Sequence, residues 1–295
     1  MASRTKQKEE ARARRLAEEQ ARAERSRRNR RLQTVGGVII LAIVLVVVAV
    51  ILGSSGGSKP KTVIPTAGNS AASKRAHQKA LAKAEKADAP IFAMLNGIPQ
   101  HGNTLGNPKA KVTVTEFGDL ECSVCDAFAL SPSQKTSDGS PGTGIENQLI
   151  SNDVRSGKVK LVYRSLETAS GNNPDPKAFL NQQTAAEAAG LQNHEWDYIE
   201  LFYAQQQAEG TGYVTPSFLD GLAQQIHGLN FSEWSSHTHD PALQAQVKSD
   251  VKSAVAKGFS STPTITIVGP KGEATPIQAL PQSYAQLETE INEVQ

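Results

Sequence analysis

Lys111-Val-Thr-Val-Thr-Glu-Phe117 leads through Gly118-Asp-Leu-Glu121 into Cys122-Ser-Val-Cys125, and Asp126-Ala-Phe-Ala-Leu130 follows. The first segment sets Val112 and Val114 between threonines and ends on Phe117. A β-branched run of this kind reads as a strand. The last segment is a short helical stretch, with Pro132 two residues beyond it. Between them stand the only two cysteines of the chain. Their spacing puts both on the first turn of a helix entered directly from a strand, a layout used for reversible disulfide chemistry.

The chemistry explains the layout. The nucleophile in disulfide exchange is the thiolate, and a free cysteine with a pKa of roughly 8.5 is mostly protonated at neutral pH. Unpaired N–H groups and the positive end of the macrodipole at a helix N-terminus stabilise the anion. Cys122 is therefore expected to be the exposed, attacking thiol. Cys125, about one turn in, is expected to be the buried thiol that closes the ring and expels a mixed-disulfide partner. A structural disulfide and half of a metal site remain open at this point. Asp119, Glu121 and Asp126 bring negative charge to the motif, which is expected to raise the pKa of Cys122.

Upstream, the charge is unevenly spread. Residues 1–34 hold ten Arg and two Lys against five Glu, a net +7, so the remainder carries −5. Val35 to Leu52 is an uncharged stretch of 18 residues, long enough to span a bilayer as a helix. It is longer than the apolar core of a cleaved signal peptide, and no clear small-x-small site follows it. Lys and Arg accumulate on the cytoplasmic side. The expected organisation is a basic cytoplasmic arm at 1–34, a transmembrane helix at 35–52, an extracytoplasmic linker at 53–89 and one domain at 90–295. The linker is Gly/Ser-rich, then Ala/Lys-rich with no apolar face, so its last part is plain tether or a solvated helix.

Downstream, Ile91–Gly106 has room for one short strand at most. Ser131–Gly144 holds no apolar residue and reads as a surface loop. Ile145, Leu149, Ile150 and Val154 stand at helical spacing, and Val159, Leu161 and Tyr163 alternate as a second strand. From about 175 to 257 the pattern is helical, with starts near Phe179, Trp196, Thr215-Pro216 and Asp240-Pro241. Thr264–Val268 reads as a returning strand and Gly269-Pro-Lys-Gly272 as a hairpin turn. Ala274–Ile277 is its expected partner strand, and Ser283–Val294 is a closing helix.

This order resembles an α/β thioredoxin-like fold with a helical insertion, in the form of the DsbA family of thiol–disulfide oxidoreductases anchored by one N-terminal span. The resemblance covers about residues 92–295. It rests on Val114-Thr-Glu-Phe-Gly-Asp-Leu-Glu-Cys122, on Phe259-Ser-Ser-Thr-Pro-Thr-Ile265, and on the alanine-rich helix leading to Trp196. It implies that Cys122 is the nucleophile and Cys125 the resolving cysteine. It implies that Pro263 is a cis-proline facing the pair, with Thr262 able to pair its backbone with an extended substrate. Glu116 stands where the family keeps a buried acid able to take the proton of Cys125. From the residues alone, Glu116 can also be read as an exposed strand residue, and base rates favour an ordinary trans proline at Pro263. Ser123 and Val124 depart from the family, which often has Pro and His there.

The implied function is an extracytoplasmic enzyme that introduces disulfides into exported proteins, with reduction or isomerisation open within the class. The implied partners are exported cysteine-containing proteins, the membrane through residues 35–52, and a separate redox protein that resets the cysteines. No cofactor is implied. A different class, a metal-binding module built on the two cysteines and histidines such as His237 and His239, lacks the second ligand pair that zinc sites usually show. No nucleotide-binding glycine pattern, Ser–His–Asp signature or nucleic-acid motif is present.

Overall fold

The computed structural model describes Ile64 and residues 70–295. The expected arm at 1–34 and span at 35–52 lie outside the described residues, as does most of 53–69. Among the described residues no helix is long and apolar enough to cross a membrane.

A six-stranded mixed sheet organises the described part, in the order β1-β2-β4-β3-β5-β6. Its centre is β3 (Val112–Gly118), parallel to β4 (Val159–Ser165) and antiparallel to β5 (Thr264–Gly269). In β4 the fully buried Val159, Leu161, Tyr163 and Ser165 alternate with partly exposed residues, as period-two patterning requires. The first four residues of β5 are all buried because both faces of the sheet are covered there.

Two short strands, β1 (Gln100–His101) and β2 (Thr104–Leu105), form a hairpin that adds to the β4 edge. At most one strand was expected in Ile91–Gly106. Two-residue strands carry no periodicity to read, and β2 is held by its pairing with β1 on one side and β4 on the other. On the other edge, β6 is Gly272–Glu273 rather than the expected Ala274–Ile277. The turn is tight, so pairing begins at Gly269 and Gly272 at once. Ile277 is left with an isolated bridge to Ile265.

The expected tether at 53–89 is corrected at its end. Helix α1 runs Ala71–Leu95, straight across the expected boundary at 89/90. Its N-cap is Ser70, whose side chain accepts from the Ser73 N–H. Ala84, Asp88, Ile91 and Leu95 are buried at spacings of four, three and four, a single stripe facing α5. Asp88 accepts from the Gln205 side chain at 2.7 Å. Alanine and aspartate occupy half of the stripe, so the sequence shows no apolar periodicity there. Ile64 is also buried, beside Gly221.

After β3 come α2 (Ser123–Ala129) and α3 (Ile145–Leu149), the latter continuing into a π-helical turn at Ile150–Val154. Between β4 and β5 lies the helical insertion: α4 (Ala178–Gly190), α5 (Glu195–Gln205), α6 (Pro216–Ala223), α7 (Phe231–His237) and α8 (Pro241–Ala256). Helix α9 (Tyr284–Val294) closes the chain on its Ser283 cap. Helix α7 was not expected, since its seven residues hold one fully buried anchor, Trp234. The indole N–H groups of Trp196 and Trp234 donate to the Asn103 and Ala185 carbonyls, which satisfies their only polar atoms in the core.

Because α1 packs as part of the domain, replacing Ile91 by Ala should cost about 2–5 kcal/mol in urea unfolding. An unchanged midpoint would return this segment to a tether.

Candidate active site

The turn from β3 into α2 is built on its own backbone. Cys122 is the N-cap of α2, with extended φ and ψ, and its N–H donates to the Asp119 carbonyl at 3.0 Å. Its carbonyl accepts from the Cys125 and Asp126 N–H groups. No side chain caps the helix end. The Ser123 N–H is taken by the Glu209 carboxylate at 2.7 Å, from the loop after α5.

Both cysteines are free thiols. Cys125 is fully buried and Cys122 is 6% exposed, so the expectation of an exposed Cys122 is corrected. The Thr262–Pro263 loop covers it: the Cys122 Sγ lies 3.5 Å from the Thr262 carbonyl, and the Thr262–Pro263 peptide is cis. The Thr262 hydroxyl meets that of Thr168 at 2.5 Å, and the Thr168 N–H donates to Asp119 at 2.8 Å. A chain of polar contacts thus ties the loop after β4, the cis-proline loop and the Cys122 turn together.

The two thiols differ sharply in acidity. Cys122 is lowered to about 7, first by the hydrogen bond from Cys125, then by Thr262 and the backbone N–H groups of Cys125 and Val124, with burial opposing. Cys125 is pushed well up by burial, with the neighbouring Cys122 and Glu116 adding to it. The expectation that Asp119, Glu121 and Asp126 raise the Cys122 pKa is overturned. Asp119 turns to the N–H groups of Glu121, Thr168 and Ser170. Glu121 accepts from the Asn173 amide, and Asp126 accepts from the Ser137 N–H at 2.6 Å.

The loop at 131–144 folds back onto α2. Thr143 and Gly144 donate their N–H groups to the Ala127 and Leu130 carbonyls, which satisfies the C-terminal end of this short helix. Gly142 is required there: a Cβ at this position would stand 2.1 Å from the Leu130 carbonyl oxygen.

Glu116 is fully buried in the middle of β3. Burial raises it from 4.5 to about 7, opposed by the neighbouring Glu146 carboxyl and by the Tyr203 hydroxyl. The Tyr203 hydroxyl donates to Oε1 at 3.4 Å. Glu116 acts on the charge of both cysteines. The structure therefore brings Cys122, Cys125, Thr262, Pro263 and Glu116 into one place. It does not bring His237 or His239 there. His237 pairs with Asp240 at the turn between α7 and α8, and among the described residues no group of three metal-ligating side chains forms.

Thr168, Glu209, Glu146 and Glu200 carry no local signal in the sequence, and Tyr203 reads there only as part of an apolar helix. Tyr203 and Glu200 lie inside the apolar run of α5, and Glu146 looks like an ordinary acid in a first helical turn. Only the tertiary fold brings them near the cysteines.

The thioredoxin family model matches residues 100–292. The Na(+)/H(+) antiporter NhaA 1 of Salinispora arenicola is 28% identical over 171 residues, which is 58% of this chain and 22% of that protein. The chain thus spans about a fifth of the length of that curated relative. The crystal structure of oxidised BdbD from Bacillus subtilis matches with a TM-score of 0.52 at 20% identity, covering 67% of this chain and 98% of that one. The structure of DsbA2 from Pseudomonas aeruginosa gives 0.47 at 21% identity, covering 67% and 96%. At these identities the likeness to BdbD concerns the fold.

Two outcomes follow. Alkylation of the reduced protein should label Cys122 with half-maximal rate near pH 7 and leave Cys125 unlabelled there; preferential labelling of Cys125 would reverse their roles. Glu116 has a folded pKa above its ordinary value, so its contribution to stability is full below about 4.5 and is lost as pH rises through about 7. Each unit of that shift costs about 1.4 kcal/mol once the group must ionise. Glu116→Gln should therefore flatten the fall in stability between about pH 4.5 and 7 seen by urea unfolding.

Proposed function

Because the chain belongs to the thioredoxin family, we propose that it is a DsbA-like enzyme of thiol–disulfide exchange at Cys122 and Cys125. Its task in this reading is to introduce disulfides into exported proteins. Residues 35–52 anchor it in the cell membrane, with 1–34 in the cytoplasm and the described domain outside. The +7 arm ahead of an uncharged 18-residue stretch supports that topology.

The observation that carries the reading is the split between the thiols: Cys122 near 7 at a helix N-terminus beside Thr262, Cys125 far higher beneath it. In the oxidising direction a substrate thiolate attacks the Cys122 sulfur of the Cys122–Cys125 disulfide. The new bond joins substrate to Cys122, and Cys125 leaves as a thiolate that takes a proton from Glu116. A second substrate thiolate then attacks the substrate sulfur and releases Cys122, whose low pKa makes it a good leaving group. The substrate has lost two electrons and the enzyme pair has gained them. In this reading a separate redox partner returns the pair to the disulfide.

Thr262 sits where a substrate strand can pair with main chain next to Cys122, a mode that reads shape more than sequence. One observation favours the reductase or isomerase alternative. The Cys122 pKa near 7 is close to that of thioredoxin and well above that of a strong oxidant.

Replacing Cys125 by Ala removes the resolving thiol. In cells, this variant should accumulate Cys122 mixed disulfides with several exported proteins, separable on non-reducing gels. If it traps nothing, while the isolated protein binds one metal ion through both cysteines, the exchange reading fails.

A further inference from the structure

Three buried glutamates act on one another's charge behind the cysteines. Glu116 comes from β3, Glu146 from the first turn of α3 and Glu200 from the middle of α5. Each is at most 1% exposed. Among the described residues none of them joins an ion pair. Oε2 of Glu116, both carboxyl oxygens of Glu146 and Oε1 of Glu200 find no hydrogen-bond donor in the fold. Acceptors buried without donors are costly. They are relieved only if protons lie between the carboxyl groups or if water enters.

Water has a way in. Glu200 lines a cavity of about 220 Å³ together with Pro90, Met94, Ser131, Asn147 and Ser151. Pro90 and Ser151 are exposed, so the cavity opens to solvent. It lies where α1, the loop after α2, and the π-helical turn meet. The cluster therefore meets the reactive thiols through Glu116 and the solvent cavity through Glu200.

We propose that Glu146 and Glu200 relay the proton of Cys125 between Glu116 and this cavity, away from the face where substrate binds. The inference rests on the exchange reading. When the pair resolves a mixed disulfide, Cys125 gives its proton to the Glu116 carboxylate. Its thiolate attacks the Cys122 sulfur, the Cys122–Cys125 bond forms, and the substrate leaves as a thiolate. Glu116 passes the proton to Glu146, which gives its own proton to Glu200, and Glu200 gives one to water. In the oxidising direction the protons run inward.

A protonated carboxyl can do this by accepting on one oxygen while donating from the other. Burial and mutual repulsion keep Glu146 and Glu200 protonated well above the ordinary range, with Glu116 near 7 as the member that titrates. Facing the cluster are Cys122 and Cys125 from α2, Tyr163 from β4, and Asp197 and Tyr203 from α5.

The test follows a nitrobenzoate disulfide reagent reacting with the reduced full-length protein in a stopped-flow instrument, across pH. The first phase is attack by Cys122, and the second is resolution by Cys125. Glu116→Gln should slow the second phase about 10²-fold near pH 7, and Glu146→Gln and Glu200→Gln about tenfold each. The first phase should not change in Glu146→Gln or Glu200→Gln. Adding Glu146→Gln to Glu116→Gln should slow the second phase no further, since serial members act as a unit. Infrared difference spectra of oxidised against reduced protein should lose separate carboxyl bands in Glu146→Gln and Glu200→Gln. If Glu146→Gln does not fold, Glu200→Gln and its infrared band decide alone.

A second phase with unchanged rate and pH profile in both Gln variants overturns the relay and leaves Glu116 as the sole acceptor. A wild-type protein with no second phase at all overturns the exchange reading itself, and the relay with it.

Discussion

A thiol and a carboxyl are buried together under one short helix, and the surroundings favour a single negative charge. Burial raises both groups; the Glu116 carboxyl adds to the rise of Cys125, and the Cys122 charge adds to that of Glu116. Charge is therefore pushed outward to Cys122, which alone reaches helix N–H groups, the Cys125 thiol and the Thr262 loop. The reactivity of the outer sulfur is set as much by what lies beneath it as by the helix end it caps. Desolvation of the inner pair is the constraint on which the rest of the site depends.

Much of the scaffold serves that burial. Central strand β3 places Glu116 inward, and Gly118 at its end leaves room for Tyr163 and Tyr203, whose side-chain atoms would lie within 3 Å of any Cβ there. Helix α5 of the insertion supplies Tyr203 and Glu200 from above, and α3 supplies Glu146. The polar carboxylates nearest the cysteines, Asp119, Glu121 and Asp126, are spent on loop backbone and amides. They fix the turn instead of opposing the thiolate.

What was legible in the sequence was local. Strand β3, the cysteine turn, the alternation of β4 and the Thr262–Pro263 step are each read within ten residues, and each lies where it was expected. What was not legible depends on distant partners. The short strands β1 and β2 hold no pattern of their own and exist through β4. Helix α1 hides its buried stripe behind alanine and a buried aspartate that finds Gln205 more than a hundred residues away. The acidity of Cys122 is not legible locally for the same reason: the acids adjoin it along the chain, while the hydrogen bonds that redirect them come from residues 137, 168 and 173. Seven-residue α7 shows only one buried anchor.

The reduction potential of the Cys122–Cys125 couple, measured by equilibration in thiol–disulfide buffers, tests this account most directly. A thiolate near 7 above a buried, high-pKa partner predicts a freely reversible couple, between about −270 and −120 mV. A couple below about −300 mV, where structural disulfides lie, would contradict it. So would a pair that never closes.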